Sequence, residues 1–115
     1  MAIARVISRE GDTGELERQY GIIAGRMADL PLADGLKAHI ALRTDKGMKI
    51  INVWESNEHA DAAMERPEFQ EAMREAGISR DDMRSHDHEV LNVRFAGLVD
   101  ELAPPASLPS LRRSV

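Results

Sequence analysis

The order of apolar and polar residues along the chain predicts a strand and then a helix at the N-terminus. Residues 3–8 (IARVIS) are rich in β-branched side chains and lead into a Gly-Asp-Thr-Gly cluster, which is typical of a strand that ends in a turn. Thr13 is a suitable N-cap, and an apolar stripe at steps of three and four follows before Pro31 stops the helix. The stripe consists of Leu16, Tyr20, Ile23, Met27 and Leu30.

The next part of the chain predicts a β-hairpin. Residues 36–43 alternate in polarity, residues 48–55 form a second strand-like run, and the intervening Thr-Asp-Lys-Gly suits a type I turn with Gly47 in a left-handed bulge position. This turn would place three cross-strand pairs on one apolar face: Leu42 with Ile50, Ile40 with Asn52, and Ala38 with Trp54. A two-residue turn would mix the faces, so we favour the bulged turn, which puts His39 on the other, more polar face.

The remaining pattern predicts a second helix and a last strand. Ser56 is a suitable cap for the second helix, and Pro67 should break it near Arg66 and allow a restart. Residues 79–82 could cap one more short turn, and residues 89–95 (EVLNVRF) alternate as a last strand would. The order βαββαβ is that of the ferredoxin-like α+β fold, an antiparallel sheet with two helices on one face.

The sequence divides into one domain and a short tail. Residues 1–100 form the domain, and residues 101–115 are too rich in proline for a helix or a central strand. We expect Leu108 and Leu111 of this tail to dock on a neighbouring subunit. Apolar residues on both sheet faces, among them Ile51 and Val53, indicate that sheet-to-sheet packing in a homodimer covers the second face.

Composition excludes several classes of function. The net charge of −5 has the wrong sign for a protein that must neutralise phosphates, so a nucleic-acid partner is not expected. The absence of cysteine excludes disulfides, iron–sulfur clusters and thiol catalysis. No apolar run approaches the roughly 18 residues of a membrane span, and residues 1–10 lack the order of a signal peptide. We therefore expect a cytoplasmic protein without a membrane partner.

Two short motifs carry a resemblance to a known family. Residues 53–58 (VWESNE), at the end of the third strand, and residues 67–70 (PEFQ) resemble the dimeric α/β-barrel superfamily, in particular its antibiotic-biosynthesis-monooxygenase-like group. The resemblance covers about residues 1–97 and implies a dimeric α/β barrel. The superfamily includes cofactor-free oxygenases, haem-degrading enzymes, and isomerase-like and decarboxylase-like proteins, so the fold alone does not choose a reaction.

Haem degradation is disfavoured because this chain lacks the haem-pocket residues at the corresponding positions. In the haem-degrading branch, the pocket tryptophan would fall on Ala63 and the iron-binding histidine on Ala72 of this chain. The strand-one asparagine of that branch has no counterpart in residues 3–8. The resemblance therefore implies chemistry without a cofactor, in which pocket side chains orient and deprotonate a phenolic or enol-like substrate.

Asn52 and His39 are the candidate catalytic residues. A buried Asn52 could hold a ligand carbonyl or oxyanion, although a bond to a loop backbone is the simpler interpretation. A neutral His39 could act as general base near pH 7, although its predicted face separates it from Asn52 and suits an interfacial or solvated histidine.

Candidate substrate-binding residues are apolar or aromatic: Trp54, Tyr20, Met27, Met64 and Met73. Each could instead fill the core, which is the simpler interpretation at helical spacing. Gly21 and Gly25 flank Tyr20 and indicate either close packing of the helix on the sheet or room for a flat ligand. His86 and His88 could form a metal pair, but they lie in a charged stretch that we interpret as a loop, and no third ligand is apparent, so no metal is expected.

Two functions fit these features. The first is a cofactor-independent monooxygenase that acts on a small hydrophobic aromatic or polyketide-like molecule, with Asn52 and His39 as its reacting residues. The alternative is a non-catalytic module of the same fold that binds a small molecule or mediates assembly.

Overall fold

The computed structural model describes residues 1–94 and residue 96, and it confirms the ferredoxin-like α+β fold. The strands are β1 (Ile3–Glu10), β2 (Leu36–Thr44), β3 (Gly47–Trp54) and β4 (Arg84–Glu89). The helices are α1 (Thr13–Met27), α2 (Asn57–Met64) and α3 (Pro67–Ala76), with a short 3₁₀ turn at Arg80–Asp82. The strands pair antiparallel in the order β2-β3-β1-β4, so β2 and β4 are the edges of the sheet.

The N-cap of α1 is Asp12 and not the predicted Thr13. The backbone N–H of Glu15 donates to Asp12 Oδ2 at 2.9 Å, and Thr13 is the first helical residue. A carboxylate at this position both accepts a free N–H and interacts favourably with the helix dipole. Gly21 and Gly25 are exposed, and a Cβ at either position would meet nothing within 4 Å, so the close helix–sheet packing predicted there is wrong.

The predicted caps and break of the second helical region are confirmed. Ser56 Oγ accepts from the backbone N–H of His59 at the start of α2. Pro67 opens α3, where a missing N–H costs nothing, and Arg66 is its N-cap. Gly77 ends α3 in the left-handed conformation at φ +78°, which glycine adopts without steric cost.

The hairpin between β2 and β3 differs from the predicted one by a single residue of register. Thr44 pairs with Gly47 across a two-residue turn, so the bulged turn was wrong. The turn is held from outside the hairpin, because the Gly11 N–H donates to the Lys46 carbonyl at 2.9 Å. A Cβ at Gly47 would lie 2.1 Å from the Arg9 carbonyl oxygen, so the glycine is required by the close approach of β1.

The shifted register changes which residues oppose each other. His39 pairs with Asn52, Ile40 with Ile51, and Ala41 with Ile50. An irregularity between Leu36 and Ala38 shifts the register again at the far end, so that Leu36, and not the predicted Ala38, pairs with Trp54. The irregularity therefore lies at the start of β2 and not in the turn.

The last strand was also predicted in the wrong place. β4 spans Arg84–Glu89 rather than residues 89–95, because its partner β1 begins at Ile3, which pairs with Glu89. His86, Asp87 and His88 consequently lie in a strand and not in a loop. Phe95 and the predicted tail, residues 101–115, lie outside the described residues.

Two apolar clusters form the core. The first contains Ile3, Trp54 and Ala60, with Ala33, Leu36 and Ala63 packed against it. The second contains Met73, Ala76 and Ile78, with Ile22, Ile23, Phe69 and Met83 packed against it. In the part of the chain that the structure describes, none of the helices has the length and apolar character needed to cross a membrane.

Candidate active site

One polar side chain from each strand contributes to a row that crosses the sheet. His39 on β2 pairs with Asn52 on β3, Asn52 pairs with Arg5 on β1, and Arg5 pairs with Asp87 on β4. Cross-strand partners project to the same face of a sheet. Tyr20 of α1 reaches His39, and Asp61 of α2 reaches Arg5, so this row, which we call the polar row, lies on the face that the helices cover.

Tyr20, His39 and Asn52 form a continuous hydrogen-bonded network. The Tyr20 hydroxyl lies 2.7 Å from His39 Nε2, and His39 Nδ1 lies 2.6 Å from Asn52 Oδ1. The rings of Tyr20 and His39 are nearly parallel, with an interplanar angle of 5° and centroids 6.0 Å apart. This arrangement corrects the prediction that His39 and Asn52 lie on opposite faces, and the shifted hairpin register is the physical reason.

The network fixes the tautomer of His39. Asn52 Oδ1 can only accept a hydrogen bond, so Nδ1 of a neutral His39 carries the proton. Nε2 then has the free lone pair and accepts from the Tyr20 hydroxyl. Burial raises the pKa of the Tyr20 phenol, which keeps it protonated and able to donate at neutral pH.

Asn52 retains donors that the network does not use. Its amide oxygen is occupied by His39, and among the described residues no side chain or backbone group bonds to its amide nitrogen. His39 is exposed and Asn52 is half-buried, so the network is open to solvent beside the edge strand β2. A ligand oxygen could therefore approach the Asn52 amide N–H groups.

Arg5 and Asp87 form the other half of the polar row. Arg5 Nε and Nη2 donate to the two carboxylate oxygens of Asp87 at 2.8 and 2.9 Å, and Asp61 lies 3.1 Å from Nη2. The hydrogen bond from Arg5 is the main cause that lowers the pKa of Asp87, and the bonds to Asp87 raise the pKa of Arg5. Only 14% of the Arg5 side chain is exposed, so this is a largely desolvated ion pair.

No sequence pattern singles out Arg5 or Asp87 as site residues. Arg5 alternates with Ile3 and Ile7 on the face that turned out to be covered, and a polar residue among these isoleucines was the one available signal. The partner could not be recognised, because Asp87 lay in the stretch interpreted as a loop. Its role depends on the pairing of β4 with β1.

The predicted substrate-binding residues do not gather around the network. Trp54 is 6% exposed and packs in the first core cluster, and Met73 is 8% exposed in the second. Met64 and Met73 line a surface cavity of about 400 Å³ next to α3, whose lining does not include the network. Met27 is half-buried in the last turn of α1. Of these residues, Tyr20 alone joins His39 and Asn52 in the hydrogen bonds of the described chain.

His86 and His88 lie on the face of the sheet away from the helices. They alternate with Asp87, whose carboxylate bonds to Arg5 on the helix-covered face. Within residues 1–94 and 96, no three or more histidine and carboxylate side chains are grouped as metal ligands.

Comparison with known proteins gives matches only at the level of structure. No protein-family model and no curated protein matches the sequence. Among solved structures, a candidate antibiotic biosynthesis monooxygenase from Chloroflexus aurantiacus is 15% identical with a TM-score of 0.64, over 84% of this chain and 100% of that one. SnoaB, a cofactor-independent oxygenase from Streptomyces nogalater, is 19% identical with a TM-score of 0.50, over 83% and 94%.

A third similar structure is a dimeric ferredoxin-like protein of unknown function from Jannaschia sp. CCS1. It is 18% identical with a TM-score of 0.55, over 78% of this chain and 100% of that one. The structural similarity establishes the fold, and sequence identities this low leave the reaction open. The chain therefore has the ferredoxin-like α+β fold of these three proteins.

Proposed function

We propose that the protein is a cofactor-independent monooxygenase that acts on a small hydrophobic aromatic or polyketide-like molecule with a phenolic or enol-like group. The observation that carries this proposal is the network in which Asn52 orients His39 and His39 accepts from Tyr20. An oriented neutral imidazole is a general base suited to neutral pH. The fold shared with SnoaB, itself a cofactor-independent oxygenase, supports the proposal.

In the proposed first step, the substrate loses a proton to the network. The substrate C–H proton passes to Tyr20 Oη as the Tyr20 hydroxyl proton passes to His39 Nε2. His39 becomes an imidazolium, stabilised through its Nδ1–H bond to Asn52 Oδ1. The substrate becomes a carbanion whose charge is shared with its conjugated oxygen, which the free Asn52 amide N–H groups would bind.

In the later steps, oxygen reacts with the carbanion and no other oxidant is needed. The carbanion supplies two electrons to O₂, a C–O bond forms, and the peroxide anion takes the proton back from His39. Cleavage of the O–O bond with loss of the second C–H proton then gives a ketone and water. A CH₂ group and one O₂ are thus converted to one C=O group and one H₂O.

Tyr20 is the residue that we propose to bound the substrate. It is half-buried on α1 above the polar row, where an aromatic ring can contact a flat apolar molecule. Trp54 and Met73 are packed in the core clusters, which favours a supporting role over direct contact. Met27 and Met64 are half-buried and could contact only a substrate that extends beyond the network.

We further propose that the protein is a homodimer formed by sheet-to-sheet packing. The sheet face away from the helices contains alternate residues of β2 and β3, and Ile40 and Leu42 on it are 48% and 40% exposed. Ile51 and Val53 lie on the same face as cross-strand partners of Ile40 and Ala38, Ile51 half-buried and Val53 buried. Large apolar side chains exposed on one sheet face are typical of an interface, and the similar Jannaschia protein is described as dimeric.

Oxygen consumption tests the proposed reaction. An oxygen electrode would follow the oxidation of anthrone, whose CH₂ group becomes the second carbonyl of anthraquinone. We expect the wild-type protein to consume one O₂ per anthrone and Asn52→Ala to be at least about tenfold slower, because His39 loses its orienting partner. Asn57→Ala, at an exposed helix position, is the control and should match the wild type. Equal rates in wild type and Asn52→Ala would reject the role of Asn52.

Binding without chemistry is the second candidate function. The exposure of His39, and the fact that the network residues do not line the 400 Å³ cavity, favour it, because oxygenation of a carbanion benefits from a site that excludes water. Calorimetry with anthraquinone under the same conditions separates the two. Tight anthraquinone binding with no oxygen consumption above the uncatalysed rate would favour the binding module and reject the enzyme.

A further inference from the structure

The proposed reaction develops negative charge on a substrate oxygen, and the polar row contains a second donor beside Asn52 that the reaction scheme does not use. Arg5 is the cross-strand partner of Asn52, and such partners have Cβ atoms about 5 Å apart on the same face. The two side chains therefore project side by side under the helices.

The hydrogen bonds of Arg5 leave one end of its guanidinium available. Nε and Nη2 are occupied by Asp87, and Nη2 is also paired with Asp61. Within the described residues, Nη1 has no protein partner. Nε and Nη2 form the edge of the planar guanidinium that faces Asp87 on β4, so Nη1 lies on the opposite edge. Because β1 lies between β4 and β3, this opposite edge is on the side of β3 and Asn52.

The carboxylates hold Arg5 in this position. A bidentate Arg–carboxylate pair is geometrically specific, and the burial of Arg5 prevents its side chain from moving freely into water. Pairing with Asp87 also removes the cost of an uncompensated buried charge. Arg5 is thus held in place before any ligand binds, with Nη1 as a positively charged hydrogen-bond donor.

We propose that Arg5 Nη1 and the Asn52 amide nitrogen together bind the oxygen of a neutral phenolic or enol-like substrate and stabilise the anion that it becomes, with Asp87 as the positioning residue for Arg5. This inference rests on the proposed function, because it assigns the oxygen of that substrate to a named pair of donors. It makes Arg5 a specificity-determining residue for substrates with an ionisable oxygen conjugated to the reacting carbon.

A coloured phenol tests this proposal without any oxygen chemistry. 4-Nitrophenol absorbs visible light only as the phenolate, so a pH titration of the bound probe reports how strongly the site favours the anion. We expect the wild-type protein to shift the ionisation equilibrium of bound 4-nitrophenol toward phenolate by about tenfold or more, as a charge-assisted hydrogen bond would. In Arg5→Met/Asp87→Asn the shift should be lost, and Arg5→Lys should retain only part of it.

The double variant and a matched control separate an effect on phenolate binding from an effect on folding. Arg5→Met/Asp87→Asn removes both charges and so avoids leaving Asp87 unpaired, and a circular dichroism melt would show whether it folds. Arg74→Met/Glu71→Gln removes an exposed ion pair from the surface of α3 and should behave as the wild type. If the double variant fails to fold, Arg5→Lys alone decides, since it keeps the charge and loses the planar fork.

The outcomes separate this proposal from the oxygenase proposal. A phenolate preference that is unchanged in the double variant or, where that variant does not fold, in Arg5→Lys, or a wild-type protein that binds only the neutral phenol or none, would overturn the role of Arg5. Anthrone oxidation by the same preparations is measured separately. Phenolate stabilisation that depends on Arg5, with no oxygen consumption, would support the role of Arg5 and reject the oxygenase.

Discussion

At the scale of single residues, His39 is distinguished by having each ring nitrogen bonded to an uncharged polar side chain. Tyr20 occupies Nε2 and Asn52 occupies Nδ1, both at hydrogen-bond distance. His59, by comparison, bonds to the N-cap Ser56 and lies near two carboxylates, which suits a capping role. The contacts of His39 set its tautomer without a substrate, which the proposed role as general base requires.

Removal of the Tyr20 hydroxyl tests the proposed proton transfer from the substrate through Tyr20 to His39. We expect Tyr20→Phe to lower kcat for anthrone oxidation by about 10- to 100-fold with a smaller change in KM, because the ring remains and the proton path to His39 is lost. His39→Gln should lower kcat at least as much. Steady-state oxygen consumption gives both constants. A Tyr20→Phe variant with wild-type kcat would show that the substrate reaches His39 directly.

The Arg5–Asp87 pair makes stability depend on pH in a defined direction. The pKa of Asp87 is lowered in the folded protein, chiefly by the Arg5 hydrogen bond, so the ionised carboxylate stabilises the fold above the ordinary carboxyl pKa of about 4. This contribution is lost as the pH falls through that value toward the lower folded pKa.

Asp87→Asn tests that dependence. We expect a loss of roughly 1–2 kcal/mol in the free energy of unfolding at pH 7, since solvent partly screens the pair, and a smaller loss near pH 3. Urea unfolding at the two pH values measures the difference, with Asp81→Asn as an exposed control. An equal loss at both pH values would contradict the electrostatic origin.

At the scale of elements, the hairpin determines whether a site exists. In the predicted register, His39 and Asn52 lie on opposite faces of the sheet. A shift of one residue between β2 and β3 makes them cross-strand partners on the same face, in the polar row. The sequence predicted the order of the elements, the helix break at Pro67 and the apolar character of the core. It could not choose the turn, because Gly47 fits both a bulged and a two-residue turn, and the deciding contacts come from β1.

The contacts of Gly47 predict a strong effect of a small substitution. A Cβ there would meet the Arg9 carbonyl oxygen at 2.1 Å and Leu16 Cδ1 at 2.9 Å, so Gly47→Ala must displace β1 or α1. We expect a loss of at least about 2 kcal/mol in the free energy of unfolding. Gly21→Ala, within exposed helix and with nothing within 4 Å, should instead add up to about 1 kcal/mol. Urea unfolding of both variants checks the pair, and similar values would contradict the observed register.

At the scale of the whole molecule, the two faces of the sheet differ in how far the chain itself covers them. The helices pack on the face that carries the polar row, while the other face leaves Ile40 and Leu42 exposed. The alternation of residues predicted that the second face needs cover. The residues on that second face were predicted incorrectly. The one-residue register error put Ala41 there, whereas Ile40 and Leu42 lie there in the structure.

A charge on the exposed face should separate the proposed dimer. We expect light scattering to give the wild-type protein twice the chain mass of 12.8 kDa and Ile40→Glu a mass near 12.8 kDa. Leu32→Glu, at a position that is 81% exposed and outside the sheet, should remain dimeric. A wild-type mass of 12.8 kDa at micromolar concentration would contradict sheet-to-sheet pairing.

Anaerobic hydrogen exchange measures, by itself, the proposed removal of a proton from carbon by the Tyr20–His39–Asn52 network. Anthrone would be incubated with the protein in D₂O without oxygen, and incorporation of deuterium at its CH₂ group followed by mass spectrometry. We expect the wild-type protein to accelerate exchange well above the buffer rate and His39→Gln to abolish the acceleration. Exchange at the buffer rate with the wild-type protein, or equal acceleration by His39→Gln, would contradict it.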